Sequence, residues 1–357
     1  MRLLQIRLRN FRSYKDATFY FQPGINHICG RNAIGKTTIL EAIHLLICGR
    51  SFRTQQNSDL IHYGASFFVL DALFVKHGVE QRLRLMFDGK QKKIFINQTP
   101  CSSYSNLLGI VYGVIFTPDD ARLIKGGPNE RREFLDLHIA QSDPLYVHYL
   151  TRYDKAMRQR NFLLKSKQLK VIYPWEAEMA VAADYIVKKR KSVVKDISDH
   201  VCSTYRYISK EETNLEVFLK STLDKEDGNI KEFFLEQMNK QRQREMEVGF
   251  TLVGPHKDDL SFKISDKEVK LFGSEGQQRS SVASLRIASW KRLREQVQMN
   301  PLMLVDDMGI SLDASRKSQL CGCLFEMGQV FLTSTDSPKD GFIRSCDSLI
   351  FPEQVEL

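Results

Sequence analysis

Residues Gly30-Arg31-Asn32-Ala33-Ile34-Gly35-Lys36-Thr37 spell the pattern G-x-x-x-x-G-K-[ST], and nothing else in the chain narrows its fold so far. The pattern has physical meaning only between a strand and a helix. Ahead of it, Leu4, Ile6 and Leu8 alternate with polar neighbours, and residues 17–21 are aromatic and β-prone, so both segments read as strands leading to a further one that ends at Ile28. Behind it, residues 37–47 read as a helix beginning at Lys36. In that setting successive backbone N–H groups form a concave nest, and the helix N-terminus adds partial positive charge, so phosphates settle there. The loop from Gly30 to Thr38 is therefore the expected ATP site, with Lys36 reaching the β- and γ-phosphates and the Thr37 hydroxyl ligating Mg²⁺.

A second acidic motif lies far downstream. Leu302-Met303-Leu304-Val305 is an unbroken apolar run, the form of a strand buried on both faces, and it ends in Asp306-Asp307. The C-terminal edge of such a sheet is where α/β folds hold ligands. Asp306 is then the expected Mg²⁺ partner beside Thr37, and Asp307 is placed to act as general base on the attacking water, with Lys36 completing the catalytic set. Between the two motifs stands Ser274-Glu275-Gly276-Gln277-Gln278-Arg279, which alone reads as a serine cap on the helix predicted over residues 277–294.

The organisation follows from the remaining periodicities. Residues 82–87 and 92–96 flank Asp88-Gly89, which predicts a hairpin closed by a type I′ turn. Residues 129–243 turn mainly helical, and strand signals return at 250–253, 260–264 and 330–333. The predicted architecture is α/β: a discontinuous P-loop ATPase domain, 1–115 plus 246–357, around a mostly helical insert, 116–245.

The formal net charge of +9 points to a polyanionic partner. Twelve Lys and Arg stand against four Asp and Glu in residues 151–195, and Lys188-Lys189-Arg190-Lys191 is their densest cluster. The seven cysteines are scattered, with no zinc or redox spacing, so they read as reduced thiols, mostly buried. Arginines interrupt the apolar residues at the N-terminus, and no stretch approaches the ~20 apolar residues of a membrane span. A cytoplasmic location without a membrane partner is the expectation. His256, Asp258 and Asp259 lie together but lack the spacing of a metal site and read as packing and hydrogen-bonding groups.

The order P-loop, helical insert, S-x-G-Q, acidic strand is that of ABC-type ATPase heads, including the SMC and Rad50 group, and among these the chain resembles the RecF family. The carrying segments are Asn10-Phe11-Arg12-Ser13-Tyr14, Leu40-Glu41-Ala42-Ile43, Gly49-Arg50-Ser51-Phe52-Arg53, Phe116-Thr117-Pro118-Asp119-Asp120, Leu123-Ile124-Lys125-Gly126-Gly127-Pro128, Arg131-Arg132-Glu133-Phe134-Leu135-Asp136, Gly254-Pro255-His256-Lys257-Asp258-Asp259 and Gly276-Gln277-Gln278-Arg279-Ser280. They span the chain from end to end.

The resemblance implies an ATP-dependent homodimer in which Ser274, Gly276 and Gln277 meet the γ-phosphate held by the other copy's P-loop. It implies a clamp on duplex DNA near single-strand gaps, slow DNA-stimulated hydrolysis that releases it, and work with the RecO and RecR proteins in loading recombinase. Lys188, Lys189, Arg190 and Lys191 then become the expected DNA-contacting face. A structural ATPase of the SMC or Rad50 kind is the alternative, although the long coiled coils and zinc hook of such tethers are absent from the sequence. Three positions depart from the pattern. Ala33 stands where glycine is usual, Ile310-Ser311-Leu312-Asp313 keeps only the last two residues of S-E-L-D, and Thr333-Ser334-Thr335-Asp336 occupies the place of the switch histidine, leaving Thr335 or Asp336 to sense the γ-phosphate.

Overall fold

The computed structural model describes residues 1–101, 104–224, 228–307, 313–335 and 348–350. Its centre is a five-stranded parallel sheet of β3 (Gly24–Cys29), β8 (Gly113–Phe116), β12 (Leu302–Val305), β13 (Gln329–Ser334) and β14 (Ser348–Ile350), in the order β14-β3-β13-β12-β8. Successive side chains on a strand face opposite ways, and this sheet divides two cores accordingly. Val114, Phe116, Met303, Val305, Val330 and Leu332 enter one, while Ile115, Leu302, Leu304 and Phe331 enter the other. Both faces are covered, which is why these strands are apolar throughout.

On one side lie α1 (Lys36–Cys48) and an antiparallel sheet of six strands. Its members are β1 (Arg2–Phe11), β2 (Tyr14–Tyr20), β4 (Phe68–Lys76), β5 (Val79–Phe87), β6 (Lys92–Ile96) and β7 (Thr99–Pro100), ordered β2-β1-β4-β5-β6-β7. The alternation of Leu4, Ile6 and Leu8 breaks at one point, where the register of β1 against β4 shifts between Leu3 and Gln5, and it is Leu3, Ile6 and Leu8 that are buried.

On the other side the helices α2 (Ala121–Lys125), α3 (Pro128–Ala140), α4 (Pro144–Lys165), α5 (Tyr173–Ser209) and α6 (Ile230–Val248) precede α7 (Val269–Phe272), α8 (Glu275–Val297) and α9 (Ala314–Phe325). The 37-residue α5 is the spine of this half, packing on α4, α6 and α8. It is amphipathic, with Ile186, Val187, Val193, Val194, Ile197 and Val201 all buried.

Three local expectations change. The stretch expected as helical contains β9 (Leu215–Lys220), which pairs antiparallel with β10 (Asp259–Ile264); with β11 (Lys267–Glu268) they form a separate three-stranded sheet. Residues 250–253 form no strand. Their backbone is held by side chains, Thr251 N–H donating to Asn161 Oδ1 (2.8 Å) and Leu252 N–H to Glu245 Oε1 (2.7 Å). The β5–β6 hairpin is present, but its loop runs through four residues, Asp88 to Gln91, and of these only Gly89 has positive φ. The Asp88 carboxylate accepts from the N–H groups of Lys90 and Gln91, which satisfies the turn without a type I′ geometry.

Candidate nucleotide-binding site

The P-loop connects β3 to α1, as the motif requires. Gly35 has φ 98° and lies against Tyr14, so a Cβ there would stand 2.6 Å from the Tyr14 hydroxyl. Ala33, the departure from glycine, has φ 66° and sits in the left-handed region all the same. Lys36 Nζ donates to the carbonyls of Gly30 (2.6 Å) and Arg31 (2.8 Å), which keeps the ammonium over the mouth of the loop.

The acidic strand delivers its carboxylates to the same place. Thr37 Oγ1 donates to Asp306 Oδ1 at 2.9 Å, and Thr333 Oγ1 donates to the same oxygen at 2.8 Å. Thr333, at the end of β13, also accepts from the Asp307 N–H at 2.8 Å, so one hydroxyl orients both acidic residues. Asp307 itself has φ 48°, a left-handed state uncommon for a residue other than glycine. Burial raises the Asp306 carboxyl above its ordinary range, and the two threonine hydrogen bonds oppose that shift. A hard oxygen donor set of one carboxylate and one hydroxyl, beside a loop of backbone donors, fits Mg²⁺ with a triphosphate. Asn32, Ala33, Gly35 to Thr38, Asp306, Asp307, Thr333 and Thr335 line one cleft of about 560 Å³ with Arg12 and Arg53, and the fully exposed Tyr63 stands at it. Of the two residues expected in place of a switch histidine, Thr335 lines this cleft and Asp336 lies outside the described residues, as does Ile310.

Beneath the cleft is a buried carboxylate that the motif reading does not single out. Glu41 on α1 has no exposed surface. It accepts two hydrogen bonds from Arg12 (2.8 and 3.0 Å), one from Ser51 Oγ (2.5 Å) and one from Arg53 (3.3 Å). Two segments on either side of α1 in sequence, one at Arg12 and one at Ser51 to Arg53, thus meet on one side chain. Its signals in the sequence are a carboxylate inside an apolar helical run, since a buried charge requires partners, and its place with Arg12, Ser51 and Arg53 in the segments that carry the family resemblance.

Ser274, Gly276 and Gln277 are not among the residues lining this cleft. Ser274 is the N-cap of α8: its Oγ accepts from Gln277 N–H (3.2 Å) and its own N–H donates to Gln277 Oε1 (3.1 Å), a capping box. Gly276 lies against the guanidinium of Arg316, which also pairs with Asp313 and Glu211. Further along, Arg286 of α8 grips Asp120 with two hydrogen bonds of 2.6 and 2.8 Å.

The cluster at residues 256–259 acquires a chemical account. Asp259 pairs with Arg131 (2.6 and 2.9 Å), and Asp258, 1% exposed, pairs with Arg190 (2.8 Å). His256 is hydrogen-bonded to Tyr153 Oη (2.7 Å) and the Thr251 carbonyl (3.0 Å). These side chains fasten the loop before β10 to α3, α4 and α5.

That arrangement corrects the expected DNA face at Arg190. Arg190 is 2% exposed, with Asp136, Asp258, the Tyr146 hydroxyl and the Pro255 carbonyl around its guanidinium. It is a buried ion-pair node of the helical half and presents nothing to a nucleic acid. Its neighbours are also paired, Lys188 with Asp184, Lys189 with Asp143 and Lys191 with Asp224.

A P-loop and an acidic strand joined at one cleft, on a parallel sheet flanked by an antiparallel sheet and a helical half, define an ATPase head of the ABC type. Comparisons agree. A family model described as an AAA domain matches residues 5–272. The Smc head domain of Pyrococcus furiosus superposes with a TM-score of 0.58 at 18% identity, over 98% of this chain and 93% of that one, a likeness of fold alone. A solved RecF structure, the recombination mediator protein RecF-ATPrS in the RecFOR pathway, superposes with a TM-score of 0.90 at 28% identity, covering 98% of this chain and 95% of that one. The DNA replication and repair protein RecF of Protochlamydia amoebophila is 47% identical over 94% of each chain, and that of Chlamydia trachomatis serovar L2 is 34% identical over 100% of this chain and 98% of its own. The chain belongs to the RecF family of DNA replication and repair proteins.

Proposed function

We propose that the chain is an ATP-operated homodimeric clamp on DNA, acting at duplex near single-strand gaps with RecO and RecR to load recombinase. The observation that carries this reading is the division of the site. Lys36, Thr37, Asp306 and Asp307 converge on one cleft, whereas the Ser274 helix N-terminus, an anion-binding geometry of the same kind, does not line it. A second copy supplying its own Ser274, Gly276 and Gln277 to the γ-phosphate would complete the donor set, so ATP would join two heads.

In this reading the loop from Gly30 to Thr38 cradles the phosphates, and Lys36 leaves its two carbonyl partners to neutralise them. Mg²⁺, held by Thr37 and Asp306, would supply charge stabilisation at the phosphate oxygens. Asp307, oriented through Thr333, accepts the proton of the attacking water. Hydrolysis is slow and stimulated by DNA, and it opens the dimer. The head comprises 1–115 and 246–357, and 116–245 is the arm that reports its state.

Sedimentation tests the reading directly. The purified chain is expected to double in mass with ATP and to remain a monomer with ADP or without nucleotide, and Lys36→Ala is expected to abolish the change. A mass that is the same in every condition would refute a site shared between copies.

A further inference from the structure

The surplus of positive charge over residues 151–195 falls into two parts that the fold treats differently. In the second part, Lys188, Lys189, Arg190 and Lys191 all hold carboxylates, and Lys195, exposed, is the one cation there that does not among the described residues. The first part is the hairpin joining α4 to α5. Residues 155–175 contain six Lys and Arg and no Asp or Glu. Arg160 is buried on Glu176 and Glu245. The other five, Lys155, Arg158, Lys165, Lys167 and Lys170, are exposed, and none of their side chains has an ion-pair or hydrogen-bond partner among the described residues, although the Arg158 charge acts on Asp154 one turn before it.

Aromatic rings lie among these cations. Phe162, in the last turn of α4, is 62% exposed and Tyr173, the first residue of α5, is 67% exposed. Between the helices, Pro174 and Trp175 line a groove with Arg152, Lys155 and Glu178, and the one carboxylate there is held by Arg152.

The tip is an ordered turn. Leu163, Leu164 and Ile172 pack beneath it with Leu169, Trp175 and Met246. Ser166 and Gln168 N–H groups close the end of α4 on the carbonyls of Phe162 and Leu163, each at 3.0 Å. Gly249, at φ 76°, passes against the aliphatic stem of Lys165, where a Cβ would come within 2.9 Å. The cations are therefore presented on a fixed frame, so little side-chain and loop ordering remains to be lost on binding.

We propose that this hairpin tip is the nucleic-acid contact of the arm, its lysines and Arg158 taking phosphates and Phe162 and Tyr173 stacking on unpaired bases where duplex gives way to single strand. The inference rests on the DNA-binding reading above and gives that reading a surface. A cation without a protein partner can neutralise a phosphate without first breaking an ion pair, and each phosphate neutralised releases counterions and steepens the salt dependence. An exposed ring offers a stacking platform to a base of any sequence, but only to one outside the duplex.

The test uses the full chain, with ATP, and fluorescence anisotropy on blunt duplex and on duplex carrying a single-stranded gap, each titrated over a series of KCl concentrations. Replacing Lys165, Lys167 and Lys170 together with alanine is expected to reduce the slope of log affinity against log salt by about two to three units. Lys188→Ala with Lys191→Ala is expected to leave it unchanged. Phe162→Ala with Tyr173→Ala is expected to lower affinity for the gapped substrate about tenfold while sparing blunt duplex. Unchanged ATP binding shows that each variant is folded. If the unaltered chain binds with a steep salt slope that the triple variant retains, the tip is not the contact and the DNA reading stands. If the unaltered chain binds neither substrate, the functional reading fails and the inference falls with it.

Discussion

Ala33 shows how a single residue can be tolerated against its own preference. At φ 66° its Cβ meets the following carbonyl, a conformation costing an L-residue about 1 kcal/mol that glycine adopts freely. The loop still closes, because Gly35 and the start of α1 fix its far end and β3 its near end. Ala33→Gly is therefore expected to stabilise the fold by up to about 1 kcal/mol, read as a higher urea midpoint at unchanged slope. A lower midpoint would mean that the strain is not present. This much is legible from the family resemblance, which puts glycine at position 33, although the G-x-x-x-x-G-K-[ST] pattern itself leaves that position open. How Glu41 is paired is not legible. Its partners Arg12, Ser51 and Arg53 come from segments whose approach only the fold determines, so its sequence neighbourhood shows an ordinary helix with one anomalous carboxylate.

Among elements, the junction between α8 and α9 connects the serine-capped helix to the loop after the acidic strand. Arg316 reaches from the first turn of α9 to Asp313, its own N-cap, and to Glu211 just beyond α5, while Gln277 Nε2 donates to the same glutamate at 3.3 Å. Gly276 leaves room for the guanidinium, which a methyl group would overlap. If the contact is what orients the N-terminus of α8, Gly276→Ala and Arg316→Ala remove the same interaction. Their combined effect on ATP-dependent dimerisation should then fall short of the sum by about 1 kcal/mol or more. Additive effects would separate the two residues. The sequence predicts α8 and β12 well, because a capping signature and a continuous apolar run are local signals. It hides β9, although Leu215 and Val217 alternate with exposed Glu216 and Phe218, because its partner β10 lies some 40 residues on and helices surround it. Residues 250–253 mislead in the opposite sense, since their apolar run suits a strand while Asn161 and Glu245 take the N–H groups a ladder would use.

At the scale of the whole molecule, stability is tied to three neutral histidine rings, His44 and His138 buried and His256 half-buried. His44 lies under the end of α1 and is held to about 4, by burial first and then by nearby arginines, against a hydrogen bond to the Arg50 carbonyl. His138, stacked on Phe134, falls to about 3 through burial and the charges of Arg292 and Arg286. His256 falls to about 4, again chiefly through burial. Each binds a proton more readily unfolded, near 6.5, than folded, so below about pH 6.5 the unfolded chain holds more protons and stability declines as pH falls. The contribution is intact above 6.5 and disappears progressively down to about 4. At pH 5 each ring costs about 2 kcal/mol. Three together are comparable to the 5–15 kcal/mol margin of an ordinary domain. The rings belong to different parts of the fold, His44 to the core around α1, His138 to the α3–α8 contact and His256 to the loop before β10, so no single part can open to relieve the others. Denaturant unfolding between pH 7 and 5 is expected to show a steep loss of stability, with a slope that becomes shallower when His44 or His256 is replaced by glutamine. A stability that stays level across that range would show that these rings accept protons in the folded chain.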